Sequence, residues 1–235
     1  MRHLWVLSLC FVVACHRRPP PPAATPTAKT EEPLLRPREE KKTSRIPADA
    51  RRVTCKVVVD GDTIHTTEGE KIRYIGIDTP ERGRDGKPDE PFCREATEFN
   101  RRLVEGKEIL LETDVGKTDK YGRTLAYLWI RDGDREVMVN AEIVRAGLAY
   151  VYTFPPNVRY ADEFLACQRE ARAAGRGFWK DYKIGGAECY VATAKGQAFH
   201  LSSCKDVQGK SNLRKFKDKG EALDEGLHPC RNCKP

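Results

Sequence analysis

The sequence predicts an α+β chain: a small closed five-stranded β-barrel with three helices, and after it a short cysteine-bearing unit. Three observations predict this. Short runs rich in β-branched and aromatic residues, bounded by Gly and Asp turns, recur between Thr54 and Val139. Stretches of helical period interrupt and follow them. From residue 187 onward the chain turns Lys-rich and carries cysteines at short spacings.

The elements follow in order. Thr54–Val59, Thr63–Thr67 and Lys71–Ile77 read as strands joined by tight turns, Glu68-Gly69-Glu70 among them. Pro91–Glu105 reads as a helix with Phe92, Ala96, Phe99 and Leu103 at helical spacing, stopped by Gly106. Glu108–Thr113 and Thr124–Arg131 are the next strands, and Val137–Val139 pairs back across Asp132-Gly133-Asp134. Asn140 is placed to cap a short helix, Ala141–Ala146, and a last helix spans Arg159–Ala174 before Gly175 and Gly177. A helix inserted after the third of five strands, with helices at the end, matches a barrel of the oligonucleotide/oligosaccharide-binding (OB) type. The segments are therefore 1–15, 16–50, 51–183 and 187–235.

The first two segments concern location. Arg2 and His3 precede Leu4–Ala14, apolar apart from Ser8. The run is shorter than the about 20 residues a spanning helix needs and reads as a signal-peptide core. Val12-Val13-Ala14-Cys15 resembles a bacterial lipobox, which would make Cys15 a lipidation site and the protein an exported, membrane-anchored lipoprotein. An ordinary cleaved signal, with a periplasmic or secreted product, is the alternative. Residues 16–50 hold more than half of the chain's 15 prolines among Arg, Lys, Glu, Ala and Thr. That composition predicts a disordered, partly polyproline tether.

The 235 residues carry a net charge of +7, which favours a polyanionic partner, and no feature indicates a protein partner. Three motifs sit at predicted strand ends: Asp60-Gly61-Asp62-Thr63, Asp78-Thr79-Pro80-Glu81 and Thr118-Asp119-Lys120-Tyr121-Gly122-Arg123. Carboxylates without His or Cys suit a hard cation such as calcium, and arginine forks suit phosphate oxygens. A metal, guanidiniums and a spare carboxylate together suit phosphodiester hydrolysis. Singly, each motif is as readily a turn or a solvated surface. Tyr150 and Tyr152, on one face of an extended segment, are suited to stacking on a base and equally to half-burial against a barrel.

With these motifs in this order, Val53–Trp179 resembles the thermonuclease family, whose type is staphylococcal nuclease. Val139-Asn140, Gly147-Leu148-Ala149 and Gly177-Phe178-Trp179 add to the match. The resemblance implies a calcium-dependent endonuclease acting on DNA and RNA. It implies that Asp62, Asp78 and the carbonyl of Thr79 bind calcium, with Asp60 acting through water. It further implies that Glu81 activates the attacking water, that Arg73 and Arg123 hold the phosphate, and that Tyr121, Tyr150 and Tyr152 line the nucleotide pocket. A non-catalytic nucleic-acid- or protein-binding barrel is the alternative; such a scaffold is expected to lack some of these groups, and none is missing.

Nine cysteines require a metal or an oxidising compartment. In the tail, His200 and Cys204 precede a distant Cys230-Arg231-Asn232-Cys233, a four-ligand set that tetrahedral zinc prefers. Cys189 or His228 could replace His200, and disulfide bonding is the rival. Either is a structural staple for a unit too short to hold itself by core burial. Lysines between Lys205 and Lys219 offer further phosphate contacts.

Overall fold

The computed structural model describes residues 44–83, 85–185 and 189–235. The signal, Cys15 and nearly all of the tether lie outside the described residues. Residues 43–235 form one compact unit. Ordered contacts begin ahead of the first strand. Ile46 is buried, Arg45 pairs with Glu163 at 2.7 Å, and the Arg45 guanidinium lies over the Trp129 ring. The end of the tether thus docks on the barrel through Ile46.

The barrel strands are β1 (Arg51–Val58), β2 (Thr63–Thr66), β3 (Lys71–Tyr74), β5 (Glu108–Glu112) and β6 (Thr124–Asp132). β1 pairs antiparallel with both β2 and β5, β5 with β6, and β2 with β3. Parallel pairing of β3 with β6, Ile72 opposite Thr124, closes the ring. β7 (Arg135–Met138) extends the β6 edge as a hairpin. The strands form because alternate residues, such as Val53, Cys55, Ile64, Ile72, Ile109, Leu111, Ala126 and Leu128, turn inward into one core.

The expected third strand divides in two. After Tyr74 the chain breaks at Ile75 and resumes as β4 (Gly76–Asp78), which leaves the barrel and pairs antiparallel with β8 (Tyr150–Tyr152), Asp78 opposite Tyr150. Gly76 permits the turn: its φ is +80°, and a Cβ there would lie 2.3 Å from the Phe164 ring. Asn140 fixes the break. It was expected to cap a helix, but it lies buried within α2 (Val139–Arg145), whose N-cap is Met138. Its side chain accepts from Leu128 N and donates to Ile75 O, both at 2.9 Å. A buried strand gap needed that amide more than an exposed helix end did.

Helix α1 (Cys93–Val104) buries Cys93, Ala96, Thr97, Asn100 and Val104, a stripe turned from the aromatic one the sequence suggested. Phe92, Phe99 and Leu103 are only partly buried beside the core. The polar members are satisfied: Thr97 Oγ1 donates to Cys93 O at 2.8 Å. Asn100 accepts from the Tyr74 hydroxyl at 2.8 Å and donates to Asp60 O at 3.1 Å, anchoring the first acidic loop. Helix α3 (Ala161–Ala173) packs on α2 and is followed by a 3₁₀ turn, Gly177–Asp181.

The C-terminal unit holds β9 (Tyr190–Thr193), β10 (Ala198–Leu201), β11 (Leu213–Phe216), α4 (Lys219–Asp224) and β12 (His228–Pro229), with sheet order β11-β9-β10-β12. Asp218 caps α4 by accepting from Glu221 N at 2.9 Å. Its core is shared: Tyr190, Phe199, Phe216, Leu223 and Leu227 pack with Ala171 of α3 and Trp179 of the 3₁₀ turn. Gln168 donates to Leu223 O at 3.2 Å, and Arg172 pairs with Asp224 at 2.7 Å.

Candidate active site and metal cluster

The two acidic loops meet at the barrel rim because Gly61 has no side chain. A Cβ there would stand 2.7 Å from the Thr79 side chain, so only glycine lets the loops close. Asp62 Oδ2 then accepts from Thr79 N at 2.9 Å and Thr79 Oγ1 at 3.0 Å. Asp62 and Asp78 are both buried, an arrangement that demands cations. Arg73 on β3 supplies one. Its Nε lies 3.2 Å from Asp62 and its Nη2 3.3 Å from Asp78, while Nη1 donates to Tyr74 O at 2.6 Å.

The electrostatics follow. Burial, and then the neighbouring Asp62, push the Asp60 carboxyl up to about 6. The same two causes raise Asp78, opposed by Arg73 and Arg231. Burial opposes the Arg73 charge, and Asp62, Asp78, Asp60 and Glu81 more than offset it, so the guanidinium holds its proton more tightly than usual. The cluster is therefore rich in negative charge and short of cations, and all its acidic donors are oxygen. That donor set fits a hard divalent cation such as calcium.

Glu81 is held by its loop: its N–H donates to Glu90 Oε2, and its carbonyl accepts from Glu90 N, each at 3.0 Å. Arg123 lies apart. Its Nε pairs with Asp119 at 2.7 Å, and its guanidinium lies 5.6 Å from the centre of the exposed Tyr121 ring. Among the described residues it makes no hydrogen bond or ion pair with the acidic cluster. Tyr150 and Tyr152 share a face, as expected from the extended segment, with buried Val151 between them. Tyr150 is stacked on Phe178 with centroids 4.6 Å apart and meets the Trp179 edge at 5.3 Å; burial raises its hydroxyl pKa. Tyr152 lies against Phe154 and His228.

In the tail, one ligand atom from each of His200, Cys204, Cys230 and Cys233 lies within 4.8 Å of all the others. Tetrahedral zinc places its ligand atoms roughly 3.3–3.8 Å apart, so a small contraction closes the site. His200 Nδ1 is buried without a hydrogen-bond partner, and Leu201 N and Asn232 N donate to the Cys233 and Cys230 sulfurs, each at 3.4 Å. Burial, and crowding by Cys204 and Cys230, push the Cys233 thiol up to about 12, a penalty that a bound cation would reverse. These residues fit zinc. Neither substitute for His200 joins them: Cys189 is exposed, and His228 packs at a tilt against Tyr152 with centroids 4.5 Å apart. All seven described cysteines are free thiols.

One residue escaped the sequence reading. Arg231, between two cysteines of the cluster, reaches the barrel rim. Its Nη2 lies 2.6 and 2.8 Å from the two Asp78 oxygens, and its Nη1 lies 3.1 Å from Glu81. No local signal marks a contact across 153 residues.

Comparison with known proteins bears on this rim. A family model described as staphylococcal nuclease homologue matches residues 71–181. The thermonuclease of Staphylococcus hyicus is 34% identical over 139 residues, covering 57% of this chain and 80% of that one. The thermonuclease of Staphylococcus intermedius is 36% identical over 128 residues, 53% and 74% of the two chains. Endonuclease YncB of Bacillus subtilis (strain 168) is 35% identical over 132 residues, 54% and 61%. The matched stretch holds Arg73, Asp78, Glu81 and Arg123, and the closed barrel around them is the fold expected of such relatives. By relatedness and by architecture, the chain belongs to the staphylococcal nuclease family.

Proposed function

We propose that the protein is an exported, calcium-dependent endonuclease that hydrolyses phosphodiester bonds in DNA and RNA. The observation that carries this reading is the rim, where Asp62, Asp78 and Glu81 converge with Arg73 in a chain related to thermonucleases and endonucleases. Asp62, Asp78 and the Thr79 carbonyl would hold calcium, with Asp60 acting through water. When bound, calcium supplies Lewis-acid polarisation of a phosphate oxygen and orients water. Glu81, on its braced loop, accepts the proton of the attacking water. Arg73, already fixed, neutralises charge as it builds on the phosphate, and Arg123 approaches from the Asp119 loop. Tyr121, exposed, and Tyr152, half-buried, offer base-stacking faces. Tyr150, packed on Phe178 and Trp179, shapes that wall.

The four-ligand cluster reads as a structural zinc site, and Cys15 as a lipid anchor. Digestion of single- and double-stranded DNA and RNA by the purified protein, with calcium or with a chelator, tests the activity. Cleavage that persists under chelation refutes the calcium role. A Cys15→Ser form that still partitions with membranes refutes the anchor.

A further inference from the structure

The family match ends at residue 181, before the tail, yet the tail touches the chemistry. Arg231 belongs to the turn between Cys230 and Cys233, where Leu201 N and Asn232 N already donate to the two sulfurs. From that turn its guanidinium bridges Asp78 and Glu81, the carboxylates assigned to the metal and to the water. Two further contacts hold the tail to the same face: His228 packs at a tilt against Tyr152, and Lys234 lies 3.7 Å from Glu90, the residue that braces Glu81.

The geometry points to Arg231 as a phosphate-binding residue of the active site, delivered by the Cys/His unit, that exchanges Asp78 for the substrate phosphate when the metal binds. This rests on the nuclease reading above. A guanidinium nitrogen within 2.8 Å of both Asp78 oxygens stands in the way of a cation there, so calcium and Arg231 compete for Asp78. Once displaced, Arg231 remains at the rim with half of its side chain exposed. Its planar fork then needs an oxyanion, and a phosphodiester between Arg73 and Glu81 supplies one. Among the described residues Arg123 makes no hydrogen bond or ion pair with this cluster, which leaves Arg231 as the second guanidinium in place beside Arg73. Calcium and substrate binding are thereby coupled, since each relieves a cost imposed by the other.

The test compares the full chain with Arg231→Ala and Arg231→Lys. Three quantities are measured: calcium affinity alone by calorimetry, affinity for a short phosphorothioate DNA strand with calcium by fluorescence anisotropy, and cleavage kinetics. Zinc content and near-UV circular dichroism confirm that each variant is folded. For Arg231→Ala, calcium alone should bind more tightly than in the parent, and a calcium affinity that is unchanged or lower would overturn the exchange at Asp78. Strand affinity should fall roughly 10-fold, and kcat/KM roughly 100-fold, as for the loss of a charge-stabilising donor. Lysine should recover part of the strand affinity and little of kcat/KM. Unchanged or increased strand affinity and kcat/KM in Arg231→Ala would overturn the proposal and make the contact a latch on Asp78 or a surface ion pair. A parent chain that binds the phosphorothioate strand but cleaves no unmodified DNA or RNA sinks the nuclease reading instead, and the binding measurements still decide the role of Arg231.

Discussion

The barrel and the C-terminal unit secure themselves by different means. The barrel buries Trp129, Tyr74, Tyr127, Phe164 and a ring of aliphatic side chains in a core of its own. The tail, with strands of two to four residues, buries Phe199, Leu223 and a few neighbours, and completes its core with Ala171 and Trp179 from the barrel's final elements. It also gathers four clustered ligands, proposed above to hold zinc. A large core frees its rim to carry costly buried carboxylates, whereas a small one needs a metal and a neighbour's surface.

Removing zinc from the proposed site should separate the two most sharply. Zinc binding in such small units is worth about 10 kcal/mol or more, so chelation should leave residues 189–235 exchanging amide hydrogens freely while β1–β6 stay protected. Barrel and tail amides that lose protection together would show that the borrowed core, not the metal, dominates. The converse perturbation is Trp129→Ala. It removes a fully buried ring and the 2.8 Å bond from its indole N–H to Glu112, and should cost about 3–5 kcal/mol in chemical denaturation. The folded fraction should still carry zinc, and loss of zinc in that fraction would argue against independence. Arg73→Ala should lower turnover roughly 100-fold or more, without rescue by lysine, and should also cost stability, because Asp62 and Asp78 lose a buried partner. Normal turnover in a folded variant would show that the chemistry lies elsewhere.

The smallest effect concerns the seam. Burial on Tyr152 holds His228 down to about 4, below its ordinary value of 6.5. Between those values the unfolded chain takes up a proton that the folded chain does not. Stability should therefore fall as the pH drops from about 6.5 towards 4. The melting temperature of His228→Gln should decline less over that interval, and an equal decline would assign the titration to another group.

Much of the barrel was legible because its signals are local. Turn glycines and β-branched runs located the five strands within a few residues, and two strand-end motifs contain the rim carboxylates Asp62, Asp78 and Glu81, whereas Arg73 was singled out only through the family resemblance. What stayed hidden was long-range. Asn140 looked like a helix cap because its sequence neighbours are helical, while its partners Ile75 and Leu128 are distant in the chain. The break at Ile75 is invisible in a continuous apolar run, since the departure of β4 depends on β8. Ligand spacing revealed the Cys/His cluster, but spacing cannot say that the turn between two ligands points at another loop, so Arg231 was missed.

The shared core also fixes where this protein could be cut and rejoined. Position 184 is a natural seam to the eye, lying just after the 3₁₀ turn and close to the change in composition. A recombinant that kept everything before it and discarded the rest would leave Trp179 and Ala171 without Tyr190, Phe199 and Leu223 to cover them. A tail transplanted alone would arrive without those two residues and without Gln168, whose amide reaches Leu223 O. The transferable module therefore begins at α3, and a barrel able to accept this tail must already present that helix's outer face.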